Sequence, residues 1–127
     1  MDDEEIGRIV IDAAIEVHRE LGPGLFESVY EQVLAAELES RGLRVRRQQS
    51  VPIFYKGSMI NDAFKADLIV ESRVLLELKS VEKLVPLHKK QVLTYLRLGG
   101  FRLGYLLNFN VFLLKDGIER LVNGWKE

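Results

Sequence analysis

The sequence predicts an α/β (α+β) domain in which a mixed central β-sheet is flanked by helices. Three observations lead there. Apolar residues recur at helical spacing in separate stretches, short apolar runs bounded by turn residues lie between and after them, and the resulting order is ααβββαββ, with a further short strand at the end. The 127 residues suit one domain, 1–127, built on one hydrophobic core.

Each element has its own justification. Ile6, Ile9, Val10, Ala13, Val17 and Leu21 recur every three or four residues with charges on the other side, which predicts a helix over about 3–20. Gly22-Pro23-Gly24 ends it. A second helix is expected from about Glu27 to Arg41, with Ser28 and Glu31 at capping-box spacing and Gly42 as the stop. Arg44 to Tyr55 reads as extended and Lys56-Gly57 as a turn. Phe64–Val70 and Val74–Lys79 read as a strand pair. Pro86 suits the first turn of a third helix that runs to about Leu98 and stops at Gly99-Gly100. Arg102–Phe109 and Val111–Lys115 read as apolar strands, Asp116-Gly117 as a turn, and Ile118–Val122 as a last short strand.

Composition narrows the function. Hydrophobic residues make up 47% and charged residues 29%, the balance of a folded globular chain. Eighteen Lys+Arg against nineteen Asp+Glu leave a net charge of -1, so any contact with nucleic acid must use a local basic patch. The absence of cysteine excludes disulfides, thiolate zinc sites, iron–sulfur clusters and a cysteine nucleophile. The two histidines, His18 and His88, are far apart in sequence. The start Met1-Asp2-Asp3-Glu4-Glu5 is acidic, unlike a signal peptide, and no apolar run approaches the ~20 residues that span a bilayer. A cytoplasmic protein with no membrane partner is therefore expected.

The chemistry is concentrated in the stretch from Lys65 to Lys79. Its apolar content is that of interior strands, yet it carries Asp67, Glu77 and Lys79. A buried charge is costly unless it is paired or bound to a metal. If Glu71-Ser72-Arg73 is a three-residue loop, Val70 pairs with Val74 and Asp67 falls opposite Glu77. Directly opposed side chains have Cβ atoms about 4.5–5.5 Å apart, so two carboxylates there repel. Two readings compete. In one, Lys65 and Lys79 satisfy both acids as a lattice of salt bridges. In the other, Asp67 and Glu77 hold a divalent cation beside Lys79; Mg²⁺ takes hard oxygen ligands and few protein carboxylates.

Asp67 followed by Glu77-Leu78-Lys79 resembles the D…(D/E)-x-K signature of the PD-(D/E)xK nuclease superfamily. Gly24-Leu25-Phe26-Glu27-Ser28-Val29-Tyr30 resembles the G-x-x-E-x-x-Y stretch of the bacterial GxxExxY proteins, a branch of that superfamily. Phe64–Leu68, Glu77–Leu84, His88–Gln91 and Asn108-Phe109 resemble the same branch in the same order, so the likeness spans about residues 4–122. The resemblance implies a restriction-endonuclease-like core. It implies hydrolysis of phosphodiester bonds, DNA foremost, by a metal-activated water, with Mg²⁺ or Mn²⁺ as cofactor. It makes Asp67 and Glu77 metal ligands, with the backbone carbonyl of Leu78 as a third. Lys79 becomes the catalytic lysine and Glu27 the additional carboxylate, binding the ion directly or through water. Gln91 becomes the helix glutamine that places the lysine or the substrate. Ala66 stands where the family's proline precedes the aspartate, a position that supplies no ligand.

Other residues keep two readings. Glu27 also suits a first-turn acid favoured by the helix dipole. Tyr30, one turn later, suits either a site contact or core packing. His88 shares a helix face with Gln91 and suits a phosphate contact or proton transfer; His18 suits a structural partner at its helix end. Arg41, Arg44, Arg46 and Arg47 form the one dense basic cluster, which Lys89 and Lys90 would extend. It is a candidate phosphate contact or a charge-guarded edge strand. Trp125 is assigned to the core or a partner surface. The near-neutral charge favours a homodimer or a partner protein to complete the nucleic-acid surface. The rival to a nuclease is a nucleic-acid-binding or protein-interaction module that keeps the fold without cleaving.

Overall fold

The computed structural model describes residues 1–124; Trp125, and with it the expectation of a core or partner role, lies outside them. Two helices, α1 (Asp3–Leu21) and α2 (Glu27–Ser40), precede three strands, β1 (Val45–Tyr55), β2 (Ser58–Val70) and β3 (Val74–Lys79). Helix α3 (Pro86–Gly99) leads to β4 (Leu103–Asn108), and a short 3-10 turn over Leu114–Gly117 leads to β5 (Ile118–Val122). The five strands form one sheet in sequence order. All neighbours are antiparallel except β3 and β4, which are parallel and joined across α3. The sheet is therefore mixed, as expected.

Each face of the sheet is covered by helix. Ile6, Val10, Ala13 and Val17 of α1 and Tyr30, Leu34 and Leu38 of α2 pack on Leu68, Val70, Leu76, Leu78, Tyr105 and Leu107. On the other face Val92 and Leu96 of α3 meet Ala66, Ile69, Leu75 and Leu106. Burying each of the larger aliphatic side chains among these contributes about 1.5–3 kcal/mol, which is what fixes the layers. Gly104 permits the close seat of α3, since a Cβ there would meet Leu96 Cδ2 at 2.8 Å and the Leu75 carbonyl at 3.0 Å.

Three local expectations are corrected. Helix α2 has no Ser28–Glu31 capping box: it begins at Glu27, and its N-cap, Phe26, makes no side-chain cap bond. The capping box belongs to α1, where Asp2 and Glu5 bond reciprocally. Val111–Lys115 is not a strand. Leu114 and Val111 pack back on the α1 side, and His18 Nε2 bonds the Val111 carbonyl at 2.8 Å, so the segment is apolar because it closes the core rather than because it pairs. Strand β2 also starts six residues earlier than Phe64. It forms a long hairpin with β1 that carries an irregularity between Val51 and Ile53, at Pro52.

Candidate active site

The expected hairpin register is present. Val70 pairs with Val74, Ile69 with Leu75 and Leu68 with Leu76. The backbone ladder stops there, one step short of Asp67 and Glu77. In place of the next rung, Asp67 Oδ2 accepts a hydrogen bond from the Leu78 amide at 2.9 Å. The carboxylate thus binds the β3 backbone directly.

The same row is irregular on its other side. Arg47 pairs with Leu68 and Gln49 with Ala66, so Gln48 stands opposite Asp67, yet Gln48 has φ +48°. This left-handed conformation in mid-strand shifts the alternation of faces. Ala66 packs under α3 while Leu68 packs under α1 and α2; on β1, Val51 lies on the α3 side and Val45 on the other. Residues an even number apart should share a face. Both strands therefore change phase at the Gln48–Asp67 row, and Asp67 lies where side chains from the two faces meet.

Glu77 is 6% exposed, and its Oε1 has no hydrogen-bond partner among the described residues. Its carboxyl is pushed up to about 9. Burial is the main cause, the hydrogen bond and charge of Asp67 add to it, and the Lys79 ammonium opposes it. A proton is thus held on the more deeply buried acid of a close carboxylate pair. Tyr95 of α3 lies within the same field: burial raises its phenol first, then the charges of Glu77 and Asp67. Its ring stacks on Phe64, with centroids 4.0 Å apart and planes 5° from parallel.

From α2 the acid that reaches this row is Glu31. It is buried; its Oε1 accepts from Gln48 Nε2 at 2.6 Å and its Oε2 lies 3.1 Å from Arg47 Nε. Gln48 Nε2 also donates to Asp67 Oδ1 at 3.2 Å. Glu27 is instead exposed in the first turn of α2. The structure does not bring it to Asp67 and Glu77, and no three Asp, Glu or His side chains among the described residues are grouped tightly enough to hold an ion by themselves. The expected convergence of three acids is corrected accordingly: the tight unit is a pair, and Glu31 is linked to it through an amide.

The salt-bridge lattice is absent as well. Neither Lys65 nor Lys79 enters an ion pair among the described residues. Lys79 is half-buried at the end of β3 beside Glu77. Gln91 is exposed on α3, one turn before Tyr95, and makes no side-chain hydrogen bond among the described residues.

The remaining candidates sort by their partners. Tyr30 is fully buried and stacks on Phe109 at 4.5 Å. Its hydroxyl donates to the Gly22 carbonyl at 2.6 Å and accepts from the Leu25 amide at 3.1 Å, so it braces the loop before α2. Ser80 ties the same loop to the end of β3 by donating to the Leu25 carbonyl at 2.7 Å. His88 Nδ1 accepts from the Val85 amide at 3.1 Å and closes the N-terminus of α3. Arg41 caps α2 and pairs with Asp12 at 2.6 Å and Glu37 at 2.8 Å. Arg44 pairs with Glu71 at 3.6 Å and Lys89 with Glu119 at 3.1 Å. Arg46 and Lys90 are exposed and enter no ion pair among the described residues. The basic cluster is therefore largely engaged in holding the fold.

The donor set fits a hard divalent cation. Asp67 and Glu77 are carboxylates, one buried oxygen lacks a partner, and Mg²⁺ binds readily through one or two protein carboxylates while keeping its waters. The sequence profile of the PD-(D/E)XK nuclease superfamily matches residues 4–121. The chain belongs to that superfamily, whose members are nuclease-like and generally use divalent metals. No curated protein matches the chain, and no solved structure does. No helix among the described residues is long and apolar enough to cross a membrane.

Proposed function

We propose that the chain is a metal-dependent nuclease of the GxxExxY branch that hydrolyses phosphodiester bonds, with DNA as the leading substrate. The observation that carries this reading is the close pair of Asp67 and Glu77, with a buried oxygen and a neighbouring lysine that have no partner among the described residues. Salt bridges alone would have left neither. Asp67 and Glu77 would hold Mg²⁺ or Mn²⁺, with the Leu78 carbonyl as a further oxygen. The ion would supply a polarised water and a clamp on phosphate oxygens. Lys79 places its ammonium where charge develops on the phosphate. Gln91 and Tyr95, one helical turn apart on α3, face substrate or lysine from the other side. Arg46, Lys90 and the exposed part of Arg47 are the side chains left to contact the phosphate backbone, together with Arg44 and Lys89 if they exchange their acidic partners. With a net charge of -1, binding is completed by a second copy or a partner protein.

The test is a cleavage screen on single-stranded, duplex and branched DNA and on RNA, with each ion. Native protein should cleave at least one substrate in an ion-dependent manner, and Asp67→Ala should lose both ion binding and cleavage. Native protein that binds neither ion removes this reading and leaves the non-cleaving module.

A further inference from the structure

We propose that the Gln48 carboxamide is the resident occupant of the gap between Glu31 and Asp67, and that it competes with the divalent cation for Asp67. This rests on the metal-site reading above. Gln48 adopts φ +48° between paired residues on both sides, a conformation that costs an L residue and that accompanies the change of phase in both strands. Besides shifting the faces, the conformation places one amide nitrogen, which donates to Glu31 at 2.6 Å and to Asp67 Oδ1 at 3.2 Å. Asp67 Oδ2 is already held by the Leu78 amide at 2.9 Å. Oδ1 is therefore the oxygen of Asp67 available to a cation, and it is the one that Gln48 holds.

Acceptors also outnumber donors in this row. Glu31 and Asp67 are served by the Gln48 amide, the Leu78 amide and Arg47, the proton on Glu77 is shared with Asp67, and Glu77 Oε1 is buried with no partner among the described residues. A neutral amide satisfies the geometry between two carboxylates without neutralising their charge. A divalent ion does both, so its arrival at Asp67 and Glu77 displaces the amide from Oδ1 and leaves it on Glu31. Gln48 then sets how much of the ion's binding strength goes into opening the site.

The experiment is isothermal titration of Mg²⁺, and separately of Mn²⁺, into the full chain, with thermal unfolding as a check on folding. Gln48→Gly removes the side chain and suits the left-handed backbone. Gln48→Met keeps the length and removes the donors. Both variants should bind each ion about three- to tenfold more tightly than native protein, by loss of the competing donor. Affinity unchanged or weakened in both variants overturns the proposal while the metal site stands. So does tightening in Gln48→Gly alone, because the gain would then come from the backbone. Absence of ion binding in native protein and both variants overturns the metal-site reading and this proposal together.

Discussion

The two ends of β3 both gather acids, and they treat them in opposite ways. Just before the strand, Arg73 lies 2.8 Å from Asp3 and also donates to the Met1 carbonyl, while Arg120 of β5 pairs with Glu4. The Asp3 oxygen there is buried and not aligned for a hydrogen bond, but a guanidinium offsets its charge. At the far end, Asp67 and Glu77 lie together and, among the described residues, neither pairs with a guanidinium, Glu77 Oε1 has no partner, and Lys79 stands beside the pair without entering an ion pair. Acidic content therefore does not mark a site. The mark is acid left unpaired where an arginine would have been easy to supply, as the other end demonstrates.

Lys79→Met gives the largest separation between the two ends. Lys79 enters no ion pair among the described residues, so the variant should unfold within about 0.5 kcal/mol of native protein. Cleavage should fall by roughly 10²-fold or more, the scale of losing one group that stabilises transition-state charge. A variant that is active, or destabilised by several times that margin, would return Lys79 to a structural role. Single-turnover cleavage and urea unfolding of the same preparation decide it.

Glu77→Gln sharpens the comparison through pH. In the folded protein Glu77 keeps its proton up to about pH 9, whereas in the unfolded chain it releases it in the ordinary carboxylate range. Stability from this group is therefore full below that range and is lost as pH rises toward 9. Metal-free native protein should become easier to unfold with urea across that interval, and Glu77→Gln should flatten the profile. Ion binding needs the ionised carboxylate, so native affinity for Mg²⁺ should strengthen over the same interval.

Part of this was legible in the sequence because it follows from strand periodicity. The loop Glu71-Ser72-Arg73, the Val70–Val74 pairing and the approach of Asp67 to Glu77 require only counting residues along two strands. The convergence of Glu31 does not follow from counting. It depends on the left-handed residue Gln48, and glutamine carries no signal for that conformation as glycine or asparagine would. Glu31 itself lies one turn beyond Glu27, a spacing that puts both on one helix face, and its sequence position invited a capping role that α2 does not use. Tyr95 was overlooked for a similar reason. An aromatic residue on an amphipathic helix reads as core, and both its stacking on Phe64 and its place within the field of the carboxylates are tertiary facts.

A pair of substitutions on α2 tests which acid belongs to the site. Glu31→Gln loses charge-assisted contacts to Arg47 and to Gln48, and should cost roughly 1–3 kcal/mol in urea unfolding. It should also change Mg²⁺ affinity, since the amide it holds touches Asp67. Glu27→Gln should cost at most about 0.5 kcal/mol through the helix dipole and leave ion affinity within twofold. The reverse ranking would put Glu27 at the ion and reduce Glu31 to a brace.

The smallest effect is expected at the paired end. Arg73 is about half-exposed, so solvent screens its attraction to Asp3, and exposed pairs contribute roughly 0–1 kcal/mol. Arg73→Ala should therefore lower stability by no more than about 1 kcal/mol and leave cleavage and Mg²⁺ affinity unchanged. The result has force because Arg73 begins the same strand that carries Glu77 and Lys79. If its loss weakened ion binding, the arrangement at the far end of β3 would depend on the charges that anchor the near end. If it does not, the apolar run Val74-Leu75-Leu76, fully buried between the helices of both faces, holds Glu77 in place without help from the ion pairs.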